Sequence, residues 1–161
     1  MTNGEGVDFV AFTRAAGKPV ARVSRGRARS GDAAKQFMSD VRRACIAKLR
    51  EIDPKHSWPF FPDRTPLAWR VEVSVERPPS HFKKSGALKA TAPAMPTAKP
   101  DATNILKAAE DALGDWPRGA KPLLYKGDEA NVDVSCSKRY GSPERVIVIV
   151  EESESLGETR R

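Results

Sequence analysis

Residues 67–77 read LAWRVEVSVER, and this stretch decides more about the fold of the 161-residue chain than any other. Leu67, Trp69, Val71, Val73 and Val75 alternate with Ala68, Arg70, Glu72, Ser74 and Glu76. Successive strand side chains point to opposite faces, so this period of two predicts a strand with one buried face. Residues 145–150 are apolar from Val146 onward, which predicts a central strand. Val132, Val134 and Cys136 alternate with Asp133, Ser135 and Ser137, predicting a third strand with its apolar stripe turned inward. Residues 7–12, rich in Val and Phe, predict a fourth.

Two helical patterns flank the 67–77 strand. Phe37, Val41, Ala44, Cys45, Leu49 and Ile52 recur at spacings of three and four, predicting a helix over 33–51 with Asp32 as its N-cap. A second helix is expected over 102–114, opened by Asp101 and closed by Gly114. Its apolar side carries Ile105, Leu106, Ala109, Ala112 and Leu113. Asp101, Asn104, Lys107 and Asp111 share a different face. From the break at Gly17-Lys18-Pro19 the Arg-rich stretch to Gly31 is expected to be an exposed loop, and 53–66 a proline-rich connection anchored by Trp58, Phe60 and Phe61. The expected order is β-α-β-α-β-β, an α+β domain with a mixed sheet of about four strands and two main helices. One domain is expected over 1–161, with its core at 7–151 and flexible tails at 1–6 and 152–161.

Composition narrows the function. Lys and Arg total 28 against 21 Asp and Glu, a net charge of +7. From Arg14 to Arg50, eleven basic residues face only Asp32 and Asp40, and residues 78–100 hold four lysines and no acid. Such blocks favour a polyanion, because each neutralised phosphate releases a condensed counterion. The apolar run ending at Val150 is far too short for the roughly 20 residues of a membrane span. Glu5 and Asp8 precede the first basic residue, so no signal peptide is expected and the chain is read as soluble and cytoplasmic. Cys45 and Cys136 are expected to be reduced core thiols. P-loop, G-x-G-x-x-G, H-E-x-x-H, paired C-x-x-C and G-x-S-x-G patterns are all absent, and His56 and His81 fall in loops.

What remains is carboxylates. Asp101 and Asp111 lie on one helix, and Asp128 and Glu129 follow Gly127 at the entrance to the third strand. Two adjacent acids repel unless a cation stands between them. Mg²⁺ takes one or two carboxylates together with water and substrate phosphate. Acids flanked by basic blocks therefore suit metal-assisted phosphodiester cleavage. The competing reading leaves Asp101 as an N-cap and Asp128-Glu129 as turn residues.

The sequence from Lys99 to Lys107, KPDATNILK, followed by Asp111-Ala112-Leu113, resembles the K-P-D-x-D-N-x-x-K…D-A-L helix of RusA-like Holliday junction resolvases. Asp128-Glu129-Ala130-Asn131-Val132 resembles that family's D-D-x-Q-V, and Lys138 its next-strand lysine. Gly17-Lys18-Pro19-Val20-Ala21-Arg22 is similar to its opening segment, and Ser80, Lys83 and Lys84 to its Ser/Lys loop. The resemblance implies a RusA-like fold in a homodimeric endonuclease that recognises four-way DNA and makes paired nicks with Mg²⁺ or Mn²⁺. It implies catalytic and metal-binding roles for Asp101, Asp128 and Glu129, and phosphate support from Lys107. Asn104 and Asp111 would order the site. Lys18, Arg22, Arg25, Arg27, Arg29, Lys83, Lys84 and Lys89 would contact DNA. One departure stands out: the family's second aspartate is Thr103 here. That keeps open a junction-binding protein that cleaves weakly or not at all, and an RNA-associated protein is a third possibility.

Overall fold

A computed structural model describes residues 6–16, 22–24, 27–29, 31–55 and 58–153. Its main sheet contains β1 (Val7–Ala11), β4 (Leu67–Val75), β5 (Asn131–Tyr140) and β6 (Arg145–Glu152), in the spatial order β1-β6-β4-β5. β6 runs antiparallel to both β1 and β4, whereas β4 and β5 are parallel. The chain crosses between the parallel pair through α2 (Ala102–Leu113). α1 (Asp32–Ile52) precedes β4 and packs against β1 and α2. The architecture is the expected α+β one, a four-stranded mixed sheet with two helices.

The alternation in β4 sorts its faces as expected. Leu67, Trp69, Val71 and Val73 are buried with Val7, Phe9, Val146, Val148 and Val150 beneath the helices. Asp8, Val10, Arg70, Glu72, Ile147 and Ile149 occupy the other face, fixed by the registers Val10↔Ile147 and Arg70↔Ile149. From α1 the core receives Ala34, Phe37, Met38, Val41, Cys45 and Leu49, and from α2 Ile105, Ala108, Ala109, Ala112 and Leu113.

Several expectations need correction. The Arg-rich stretch is not all loop: Arg22–Ser24 (β2) and Arg27–Arg29 (β3) form a short antiparallel hairpin before α1. Gly31, not Asp32, is the N-cap of α1, and Asp32 sits in the first turn, where an acid complements the helix dipole. Ile52, the last member of the predicted stripe, is 36% exposed because the helix ends there. Val132 and Val134 are 60% and 45% exposed, not buried. β5 is an edge strand paired only with β4, and its register shifts between Leu67 and Ala68, opposite Val132. Cys136 is accordingly half-buried, while Cys45 is fully enclosed. β6 runs to Glu152, past the expected end of the core. The remaining tail residues, 1–5 and 154–161, lie outside the described residues. Among the described residues no helix is long and apolar enough to cross a membrane.

Candidate active site

α2 and β5 position the site. Helix and strand run in opposite directions, tied at both ends. At one end Lys138 on β5 donates to the carbonyls of Ala98 and Pro100, 2.7 Å each, and so fixes the segment entering α2. At the other end the Asn131 side-chain amide donates to Glu110 at 2.8 Å and accepts from Trp69 Nε1 at 2.9 Å. Tyr125 stacks edge-on against Trp69 and donates its hydroxyl to the Glu110 carbonyl at 2.9 Å. Leu123, Leu124 and Tyr125 are buried, so a segment without regular structure supplies the support under this end.

Asp101 is the N-cap of α2. One carboxylate oxygen accepts from the Asn104 backbone N–H at 2.8 Å, the other from the Asn104 side-chain amide at 2.9 Å. The cap exists because the first helical N–H groups lack intrahelical partners. The carboxylate is nonetheless exposed, and each oxygen retains a lone pair. Thr103, one turn from Lys107, is exposed as well. Lys107 lies 3.7 Å from Asp111 and 3.9 Å from Glu110. This places an ammonium between two acids on the face the sequence singled out.

The segment leading into the acidic turn arrives beside Lys107. Gly127 has φ +143°, a conformation side-chain-bearing residues rarely adopt, and a Cβ there would run into the Glu129 carboxylate. Asp128–Ala130 form a single 3-10 turn, and β5 starts at Asn131. Lys107, Asp111, Asp115, Tyr125, Lys126 and Gly127 share a cavity of about 400 Å³. Lys126 and Gly127, which lead into the turn, thus face the later turns of α2 across that cavity. Asp101 stands six residues before Lys107, about 9 Å along the axis at 1.5 Å per residue. The structure brings together Lys107, Asp111 and the Gly127 turn, with Asp101 and Asn104 as a separate pair at the helix start. Among the described residues no three acidic, His or Cys side chains converge as a ready-made metal centre.

Of the basic residues singled out, Lys18 and Arg25 lie outside the described residues, and Arg22, Arg27 and Arg29 lie on the β2–β3 hairpin. Lys83, Lys84 and Lys89 are exposed on a loop pinned by a Phe82–Leu88 bridge, with Lys89 Nζ donating to the Ser80 carbonyl at 2.7 Å. Arg42, part of the basic block, does a different job. Its guanidinium donates to the carbonyls of Ala112 at 3.0 Å, Gly114 at 3.5 Å and Lys121 at 2.6 Å, closing the C-terminus of α2. Burial lowers its pKa, opposed by the neighbouring Cys45. Burial also pushes the Cys136 thiol up to about 11, with Lys138 opposing, and raises Cys45 further.

Glu110 has no place in the sequence reading, Asn131 enters it only as part of the motif after Asp128, and Arg42 only as one member of the basic block. Glu110 lies three residues after Lys107, a helical pairing distance readable in the sequence. Nothing in the sequence joins Asn131 to Glu110 or Arg42 to Lys121, because those contacts depend on how α2 lies against β5 and α1.

The chain matches the family described as endodeoxyribonuclease RusA over residues 15–151. A stretch of 86 residues is 35% identical to the uncharacterized protein YqaN of Bacillus subtilis (strain 168), covering 51% of this chain and 56% of that protein. The chain thus spans little more than half the length of that relative.

Proposed function

This chain belongs to the RusA endodeoxyribonuclease family, and from that premise we propose that it resolves four-way DNA junctions by paired phosphodiester cleavage. The observation that carries the proposal is the cleft that Lys107 and Asp111 of α2 share with Lys126 and Gly127, the residues leading into the acidic pair, on a helix opened by an exposed Asp101. Residues 7–151 act as one domain, working in the cytoplasm where branched DNA forms.

The donor chemistry fits a hard divalent cation, Mg²⁺ or Mn²⁺. Such an ion needs only one or two carboxylates when water and substrate phosphate complete its shell, and Asp101 and Glu129 are exposed. Asp101, Asp128 and Glu129 would hold it. When bound, the ion supplies charge neutralisation at the scissile phosphate and a more acidic water. Asn104 fixes the Asp101 carboxylate through two hydrogen bonds. Lys107 offers an ammonium to phosphate oxygen, held near its place by Glu110 and Asp111. Gly127 supplies the positive φ that leads the chain into the acidic turn. The hairpin arginines and Lys83, Lys84 and Lys89 would engage the backbone of the arms. Two symmetric nicks require two sites related by a twofold axis, hence a homodimer.

The decisive experiment is cleavage of a synthetic four-way junction with Mg²⁺, with Mn²⁺ and with EDTA. Asp101→Asn is expected to lower cleavage at least 100-fold while leaving junction binding intact. A D101N protein that cuts like wild type refutes the assignment. A second reading, junction binding without efficient cleavage, is favoured by the exposed Thr103, which stands where the family motif carries an aspartate. It predicts that wild type binds without cutting and that Thr103→Asp gains cleavage.

A further inference from the structure

A second cleft, of about 550 Å³, opens where the ends of β4 and β5 meet the loop leading into Asp101. Arg14, Arg77, His81, Lys99 and Tyr140 contribute to its lining, with Pro100 at the border of the Asp101 cap. The Arg77 guanidinium sits 4.0 Å from the Tyr140 ring centroid and donates to the Pro93 carbonyl at 2.9 Å. His81 meets the same tyrosine edge-on, with ring centroids 5.6 Å apart. Its Nδ1 is buried and has no hydrogen-bond partner among the described protein groups.

These features do not add up to a simple phosphate site. An anion needs only cations, yet this cleft also presents aromatic and proline surface, and Glu76 and Glu144 line it beside the basic groups. Guanidinium planes and aromatic rings are the surfaces on which unpaired bases stack. The volume falls within the roughly 300–1,000 Å³ of small-molecule pockets.

We propose that this cleft receives one unpaired deoxynucleotide, its base stacked on the Arg77–Tyr140 pair beside the His81 ring, its phosphate beside Arg14 and Lys99. The identity of the occupant rests on the DNA-cutting function proposed above. The position suits it: a strand whose phosphate reaches Asp101 passes the Lys99–Pro100 rim, so a base displaced at a branch point lies next to the cutting site.

The test uses the full chain in EDTA, labelled on histidine, with the imidazole signals followed by NMR. The titrants are dAMP, dTMP, 2-deoxyribose 5-phosphate and inorganic phosphate. The His81 signals, assigned by their loss in His81→Phe, are expected to move saturably with both nucleotides. Affinity for a nucleotide should exceed that for the sugar phosphate at least fivefold. Arg77→Met removes the guanidinium plane and should weaken nucleotide binding at least threefold, with the His81 signals reporting that the fold is retained. An unshifted His81, or equal affinity for nucleotide and sugar phosphate, overturns the proposal. Junction cleavage by the same preparations separates the two claims. Nucleotide binding without any junction cutting refutes the cleavage function and supports the cleft; cutting with no nucleotide shift refutes the cleft alone.

Discussion

Arg42 offers the sharpest test of how this chain divides its basic residues between DNA and its own fold. In sequence it belongs to the +9 block, where an arginine is naturally taken as a phosphate contact. In the structure it bridges from α1 to the last carbonyls of α2 and to Lys121. A hydrogen bond from a charged donor contributes about 1.5–3 kcal/mol. The Ala112 and Lys121 bonds count, the second discounted for exposure, and the long Gly114 bond adds little. A cation at a helix C-terminus adds about 0.3–1 kcal/mol. Relief of the guanidinium's desolvation on substitution works the other way. Arg42→Met should therefore destabilise the fold by about 2–3 kcal/mol, which at about 2–4 °C per kcal/mol lowers Tm by about 4–12 °C. Arg42→Lys keeps the charge but not the fork that reaches separate carbonyls, and should recover less than half of the loss. Urea denaturation followed by tryptophan fluorescence measures both. Junction affinity of the folded R42M protein, titrated against salt, should keep the wild-type slope. A phosphate contact would instead reduce that slope by about 0.9 and leave stability within about 0.5 kcal/mol of wild type. That pair of results would refute the assignment of Arg42 to the fold.

Three further outcomes follow from the same contacts. Lys138→Met frees the Ala98 and Pro100 carbonyls and should slow junction cleavage about tenfold, with a midpoint of denaturation close to wild type. Asn131→Ala leaves the Trp69 Nε1–H without its acceptor and Glu110 without its amide donor, costing about 1–3 kcal/mol in urea denaturation. The raised thiols set an alkaline limit. Above about pH 8.5 the unfolded chain ionises its cysteines while the folded chain keeps Cys136 protonated until about 11. The unfolded state then binds fewer protons, so stability should fall with rising pH across that window, and Cys45→Ala/Cys136→Ser should flatten the fall.

The elements legible in the sequence were those whose periodicity has a single cause. β4 alternates because one face meets two helices. α1 and α2 show stripes because each lies on that layer, and Asp101 caps as its position before the second helix implies. β5 misled because its alternation is real but its position is not encoded locally. Val132 and Val134 have the pattern of a half-buried strand, and only the sheet order shows that they flank an unpaired edge. The hairpin at Arg22–Arg29 was hidden because alternating Arg with small residues carries no hydrophobic signal. For the site, residue types and spacing were legible as a motif, and the face shared by Lys107 and Asp111 followed from helical geometry. What joins them to the Gly127 turn is the long-range tie through Asn131, for which no local pattern exists.

That tie bears on why Thr103 matters. Lys138 and Asn131 hold α2 at both ends, so Asp101 and the acidic turn are set at separate points along one rigid helix. Position 103 lies between them, two residues beyond Asp101 and four before Lys107, a pairing distance on a helix. A carboxylate there would add a charged oxygen donor on the path from the cap to the cavity, whereas threonine offers a neutral hydroxyl. With the helix pinned at both ends, bending α2 does not close that span, and ligands other than protein acids would complete the cation's shell. Substrate phosphate and water are what a hard cation accepts in that role. The consequence is that cation and junction should bind this chain cooperatively, each supplying part of what the other lacks.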